Sequence, residues 1–160
     1  MEFDKFIEKF NADRENLLKP LCSIAKENNL DALEILSTAF LNVGISMCGA
    51  DRVVDVEEAK IIALLGKIFP SMQSISPESW FNSMEGKSED EWVDIFSRGR
   101  QRFGAVYLLE TYDSENGTKH AETLKQLLFE FALTMASADG EISPEEMVYL
   151  QDLKQNIYKK

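Results

Sequence analysis

The chain has 160 residues, of which 44% are hydrophobic, and a formal net charge of −11 at pH 7. This length suits one domain covering residues 1–160, and the hydrophobic content excludes a disordered chain. The excess of acids makes binding to nucleic acid or to an anionic membrane unfavourable. No stretch approaches the roughly 20 apolar residues of a membrane-spanning helix, and the start of the chain lacks a secretory signal pattern. We therefore expect a cytoplasmic protein without integral membrane association.

The cysteine and histidine content limits the metal chemistry that one chain can support. Cys22 and Cys48 are the two cysteines, and His120 is the one histidine. Both cysteines fall in apolar helical stretches, so we expect reduced and buried thiols. Zinc sites of the cysteine/histidine kind and paired Glu-x-x-His di-iron sites are excluded within one chain. Any metal site must be built from oxygen ligands.

Two short helices are predicted at the start of the chain. Aromatic and aliphatic residues recur every three or four positions over residues 3–10, which places them on one helix face. A second helix is predicted over residues 17–26. Pro20 either kinks this helix or lies in the first turn of a helix that begins near Lys19.

Residues 31–69 are predicted to form a helix, an acidic elbow and a second helix. Asp31 is the expected N-cap of the first helix. Asp55 and Glu58 have the spacing of an N-cap and its reciprocal partner at the start of the second helix. Pro70 is expected to end that helix.

The intervening residues 76–112 are predicted to contain two further helices. Ser76 precedes a proline and starts a short helix, and Ser88 opens a longer one that runs to Tyr112. The polar residues 113–117 are expected to break the longer helix.

Two groups of side chains in this part of the chain have alternative interpretations. The aromatic residues either belong to the core, as is usual at helical spacing, or form an exposed apolar patch; they are Trp80, Phe81 and Trp92. Three arginines point in different directions on a helix and are expected to be solvated rather than to form a phosphate site; they are Arg98, Arg100 and Arg102.

Residues 118–158 repeat the helix, elbow and helix pattern. The Thr118 hydroxyl is expected to cap the first helix. Ser143, Pro144 and Glu146 form a cap, a proline at the first helical position and an acid at the third. No segment shows sustained strand alternation, so the sequence predicts an all-α fold, a single compact bundle of about six to eight helices.

The two helical units are copies of one another. Residues 50–58 and 138–146 carry nearly the same pattern at a shift of 88 positions, from Asp51 to Asp139. Apolar positions in the flanking helices keep the same register. Identical residues under this shift are Glu34/Glu122, Leu36/Leu124, Met47/Met135, Ala50/Ala138, Asp51/Asp139, Glu57/Glu145, Glu58/Glu146 and Leu65/Leu153.

The acidic elbows have two competing interpretations. Helix capping explains the Asp55/Glu58 and Ser143/Glu146 pairs without any ligand, at about 0.5–2 kcal/mol per cap. Alternatively, the clustered carboxylates bind a hard divalent cation, which would relieve their mutual repulsion. An EF-hand is rejected, because its first ligand position would fall on Met135, whose thioether does not bind calcium.

The phrase over residues 138–146, Ala-Asp-Gly-Glu-Ile-Ser-Pro-Glu-Glu, resembles the TerB-like family of tellurite-resistance and stress-response proteins. The preceding helix, the duplication and the length agree with that family. The resemblance implies a pseudo-twofold helical domain without enzymatic activity, whose elbow acids bind a divalent metal. Arg52 departs from the pattern, because the family has glycine at that position. The implied metal-binding residues are Asp139, Glu141, Ser143 and Glu146 in copy two, and Asp51, Asp55 and Glu58 in copy one.

Two functions are consistent with these features. The first is a stress-response module that binds calcium, magnesium or manganese at the elbows and signals to a protein partner. The alternative is a metal-free structural or adaptor bundle that acts by protein–protein interaction. An enzyme is disfavoured, because His120 is expected to face solvent and the sequence contains no glycine-rich phosphate cradle or recognisable nucleophile motif.

Overall fold

The protein is helical throughout the part that the computed structural model describes, which is residues 2–27, 31–50, 56–99, 104–137 and 142–158. No strand occurs in these ranges, so the predicted all-α bundle is confirmed. Two short 3-10 helices, Leu65–Lys67 and Pro70–Met72, follow α3. The α-helices are α1 (Glu2–Glu27), α2 (Ala32–Cys48), α3 (Val56–Leu64), α4 (Pro77–Glu85), α5 (Glu89–Gly99), α6 (Gly104–Asn116), α7 (His120–Ala136) and α8 (Pro144–Tyr158).

The N-terminal segment is one helix of 26 residues rather than the two that the sequence predicts. Pro20 lies inside it, where the missing N–H and the ring cost about 3 kcal/mol. Leu17 and Leu21, on either side, are completely buried. Burial of each leucine contributes about 1.5–3 kcal/mol, so packing on the neighbouring helices offsets the cost of the proline.

The internal repeat is present in the helix boundaries. α2 and α7 both have 17 residues and begin at Ala32 and His120, 88 positions apart. α3 and α8 begin at Val56 and Pro144, again 88 apart. The buried positions correspond as well; the equivalent buried pairs include Leu36/Leu124, Ala39/Leu127, Phe40/Leu128, Val43/Phe131, Met47/Met135, Ile62/Leu150 and Leu65/Leu153.

The ends of the first helices of the two copies also correspond. The α2 C-cap, Gly49, has φ −94° and ψ 0°, and the α7 C-cap, Ser137, has φ −89° and ψ 0°. The Gly49 N–H donates to the Ile45 carbonyl at 3.1 Å, and the Ser137 N–H donates to the equivalent Leu133 carbonyl at 3.0 Å. The two copies therefore enter their elbows with the same backbone geometry.

The centre of the core is a cluster of phenyl rings. Neighbouring ring centroids lie 5.3–6.4 Å apart, in tilted and edge-to-face arrangements that aromatic pairs favour. The rings come from α1, α2, α7 and the segment after α3, so the cluster joins the two copies to the N-terminal helix. They are Phe3, Phe6, Phe10, Phe40, Phe69 and Phe131.

The intervening segment contains buried aromatic residues. Trp80 and Trp92 are 9% and 6% exposed, so the exposed-patch interpretation is wrong for the two tryptophans. The Trp92 indole lies directly against Gly49, where a Cβ would overlap the ring. α5 thereby packs on the end of α2.

One other prediction for this region is corrected. The longer predicted helix is described as α5 and α6, and residues 100–103 between them lie outside the described ranges; α5 packs on α2, and α6 on α1 and α7. α6 continues through Asn116, beyond the predicted break, and the chain turns at Gly117, whose φ is +66°. The φ angle explains the position of the turn, because this conformation favours glycine.

The cysteines also differ from expectation. Cys48 is buried as predicted, but Cys22 is exposed. Cys22 follows the buried Leu21 on α1, and adjacent helix positions point about 100° apart. Among the described residues, no helix has the combination of length and apolarity that crossing a bilayer requires.

Candidate functional site

The predicted elbow site lies partly within the described residues. Glu58, Ser143 and Glu146 are described, each at the start of the second helix of its copy. The other four predicted ligands lie outside the described residues; they are Asp51, Asp55, Asp139 and Glu141.

Ser143 and Glu146 form a reciprocal capping box at the start of α8. The Glu146 N–H donates to Ser143 Oγ at 3.1 Å, and the Ser143 N–H donates to Glu146 Oε1 at 2.9 Å. The two side chains thus satisfy donors that the first turn of a helix leaves without an intrahelical partner. The capping interpretation is confirmed for this pair, and one carboxylate oxygen of Glu146 takes part in it.

Each copy buries a glutamate at the third residue of its second helix. Glu58 in α3 and Glu146 in α8 are both 4% exposed. Burial of a carboxylate is costly unless hydrogen bonds, a cation or a favourable dipole compensates it. The positive end of the helix dipole at the first turn provides part of this compensation. The repeat therefore conserves a buried acid next to each elbow as well as the acidic pattern.

The described residues do not by themselves form a metal-binding group. No cluster of three or more histidine, cysteine, aspartate or glutamate side chains with ligating geometry occurs among them. Calcium, for example, takes six or more oxygen ligands. A cation site at either elbow would therefore depend on the acids outside the described ranges together with Glu58 or Glu146.

A second polar cluster, which the sequence did not reveal, joins α6 to α7. Both carboxylate oxygens of Asp113, near the end of α6, accept hydrogen bonds from the start of α7. The N–H groups of His120 and Ala121 donate at 3.0 and 2.8 Å, and Thr118 Oγ1 donates at 2.5 Å. The prediction that Thr118 caps α7 is wrong, since Asp113 accepts the donors and Thr118 supports it.

The charge of Asp113 is stabilised by this cluster. Burial raises the pKa of the carboxyl group, but the hydrogen bonds from Thr118, Ala121 and His120 outweigh that effect, and the net pKa is lowered. The sequence shows only a polar run after a helix, which is equally typical of a simple loop and of a segment that caps the next helix. The three-dimensional placement of α7 distinguishes the cap from the loop.

His120 is half-buried rather than fully solvent-facing as predicted. Its ring centroid lies 6.0 Å from that of Tyr112, with an angle of 43° between the planes. The α6–α7 turn brings the two rings together. The histidine thus packs within the same turn that Asp113 caps.

Two buried hydroxyl groups face each other between the copies. Tyr149 in α8 is 8% exposed and Ser46 in α2 is completely buried. Neither hydroxyl oxygen has a hydrogen-bond partner of regular geometry. Burial raises the pKa of the Tyr149 phenol well above its usual range, and the nearby Ser46 hydroxyl opposes this only in part. The pair lies one turn beyond Glu146 in α8 and near the end of α2.

A shallow groove between α1 and α7 has a volume of about 180 Å³. An ion pair of 2.7 Å between Lys9 Nζ and Glu130 Oε1 forms part of its lining. Asp13 and Gln126 add further polar surface. The volume is below the roughly 300–1,000 Å³ of typical small-molecule sites, so this groove is not the candidate site.

Comparison with known proteins gives no assignment: the chain matches no protein-family model, no curated protein and no solved structure.

Proposed function

We propose that the protein is a non-enzymatic cytoplasmic stress-response module of the TerB-like kind. In this proposal a divalent cation, calcium, magnesium or manganese, binds at the acidic elbows. Cation occupancy then changes the surface that the module presents to a protein partner. The proposal concerns binding and signalling, and no chemical step is assigned to the chain.

The duplicated buried glutamate is the observation that supports cation binding best. Glu58 and Glu146 have the same position in their helices and the same 4% exposure. A hard cation beside each elbow would offset the cost of burying the carboxylate and the repulsion from the neighbouring acids. The capping box of Ser143 and Glu146 does not require the additional acids around it.

Thermal unfolding in the presence of each cation tests this proposal. A ligand that binds only the folded chain stabilises it by about 2.7 kcal/mol at a hundredfold excess over its dissociation constant. For a chain of this size, that corresponds to a rise of about 5–11 °C in the thermal midpoint. The part of this rise that the second elbow contributes should disappear in Asp139→Asn combined with Glu146→Gln.

The matched control is Glu145→Gln, an exposed acid in the same first turn of α8. It removes one negative charge but no buried carboxylate, so the cation-dependent rise should persist. A thermal midpoint that stays constant across millimolar calcium, magnesium and manganese would contradict cation binding.

A metal-free adaptor is the second candidate, and a specific observation favours it. Met147 and Val148 on α8 are 44% and 56% exposed, although both are large and apolar. Neighbouring exposed apolar residues are a feature of protein-binding surfaces. Partner binding that is equally tight with calcium and with a chelator would favour the adaptor over the cation-dependent module.

A further inference from the structure

The two copies differ in how their second helices are covered. Ala59 in α3 is completely buried, whereas the equivalent Met147 in α8 is 44% exposed. At the next position, copy one has Lys60, which forms a 2.9 Å ion pair with Glu57, and copy two has the apolar Val148. Copy two therefore presents apolar side chains where copy one has either a covered or a charged residue.

In copy one, α3 is packed against α4. This helix makes the most extensive packing contact of α3, and it contributes the buried Trp80 and Met84. In the described part of the chain, the main helix that packs on α8 is α7, which is its own hairpin partner. The position that α4 occupies on α3 has no equally extensive counterpart on α8.

The exposed large apolar residues of copy two belong to the α7–α8 hairpin. Lys154 Nζ is 6.0 Å from the centroid of the Phe129 ring, which sets the register of the α7–α8 hairpin. Leu133 is four residues after Phe129 on the same side of α7. Because α8 runs back along α7, Leu133 lies level with the part of α8 between Met147 and Lys154. We call this surface the α8 face; its large apolar members are Leu133, Ile142, Met147 and Val148, which are 36–56% exposed.

Charge determines what kind of occupant suits the α8 face. The chain carries a net charge of −11, and the exposed Glu145 lies beside Met147 and Val148 in the sequence. Association of two copies through this face would bring two strongly acidic chains together. A partner with basic residues around an apolar stripe would instead be attracted and would bury the apolar side chains.

We propose that the α8 face binds an amphipathic helix of a partner protein, with an apolar stripe and basic flanks. Met147 and Val148 are the apolar anchors, and Glu145 together with the net negative charge of the chain attracts the basic flanks. This inference rests on the proposed function in one respect, because it describes the protein partner to which the module signals. The binding itself does not require a cation.

Titration of the full chain with a synthetic helical peptide tests the proposal. The peptide has about four turns, with leucine on one face and lysine on the other. A second peptide of the same charge, with alanine in place of leucine, measures attraction by charge alone. Met147→Ser combined with Val148→Ser removes the apolar anchors without changing charge, and Val93→Ser on α5 is the matched control because Val93 is 58% exposed.

The leucine peptide should bind at least tenfold more tightly than the alanine peptide. The double serine variant should lose at least tenfold in affinity for it, while the Val93 variant should bind as the natural chain does. Hydrogen exchange of the complex should show protection in α8. Because the substitutions are on the surface, an unchanged thermal midpoint verifies that the variants are folded.

Three results would overturn the inference. The first is equal affinity for the two peptides, and the second is an equal loss of affinity for the leucine peptide in the Val93 variant. The third is a dimer of the chain that the double serine variant dissociates, since the occupant would then be a second copy. Titration with calcium and with a chelator separates the two proposals. A chain that binds the peptide but shows no cation effect would refute cation binding and leave the docking surface intact.

Discussion

Replacement of Asp113 by asparagine should destabilise the protein measurably at neutral pH. The carboxylate accepts hydrogen bonds at both oxygens, from Thr118 and from the N–H groups of His120 and Ala121. An asparagine amide offers one acceptor oxygen and turns a donor toward the remaining N–H group. Loss of a helix cap costs about 0.5–2 kcal/mol, and a buried donor left without a partner adds to this cost. We expect a loss of about 2 kcal/mol, or about 4–8 °C in the thermal midpoint.

The effect should depend on pH in a defined direction. The folded-state pKa of Asp113 is lowered from its ordinary value of 3.8. The stabilisation is therefore present above the unfolded-state pKa and is lost as the pH falls through the folded-state pKa. Urea unfolding of both proteins between pH 7 and pH 2 should show their difference shrinking below about pH 4.

Glu115→Gln is the matched control, because it removes the same charge from an exposed residue of the same helix end. It should change the free energy of unfolding by less than about 0.5 kcal/mol. A stability of Asp113→Asn equal to that of this control at pH 7 would refute the stabilising role of the carboxylate. A loss of stability in Asp113→Asn that remained constant down to pH 2 would refute it as well.

Three further predictions concern packing and burial. Gly49→Ala should lower the free energy of unfolding in urea by about 1–3 kcal/mol and shift tryptophan fluorescence, because the new methyl group overlaps the adjacent indole. The control Gly104→Ala should not destabilise the protein, because no atom lies within 4 Å of the new methyl group. Ser143→Ala should cost about 1 kcal/mol in thermal unfolding by removing the capping box with Glu146; an unchanged midpoint would contradict that role. Because burial raises its pKa, the Tyr149 phenol should stay protonated in the folded chain above the ordinary ionisation range of a tyrosine. Alkaline absorbance titration should thus show delayed ionisation that Tyr149→Phe abolishes. Stability should fall as the pH rises above about 10.

Local features of the sequence were sufficient for much of the fold. The caps at Asp31 and Ser76 and the capping box at Ser143 depend on residues two or three positions apart, and all are present. The repeat was also visible, because a shift of 88 positions matches apolar residues that face the same core. These features involve interactions within one or two helical turns, which spacing alone specifies.

Other features depended on contacts between distant segments. The sequence predicts two helices before residue 27, with Pro20 in the second, but burial of the leucines around the proline keeps α1 continuous. Asp113 was expected to end a helix and instead caps the next one, because α7 begins within reach of its carboxylate.

The sequence by itself determined the helical class, the duplication and the acids that make the elbows candidates for cation binding. The tertiary structure decided that Glu58 and Glu146 are buried alike and that α4 covers α3. It also decided that Met147 and Val148 remain exposed on α8. Periodicity specifies which residues share a helix face, but the exposure of that face depends on which other helix packs against it.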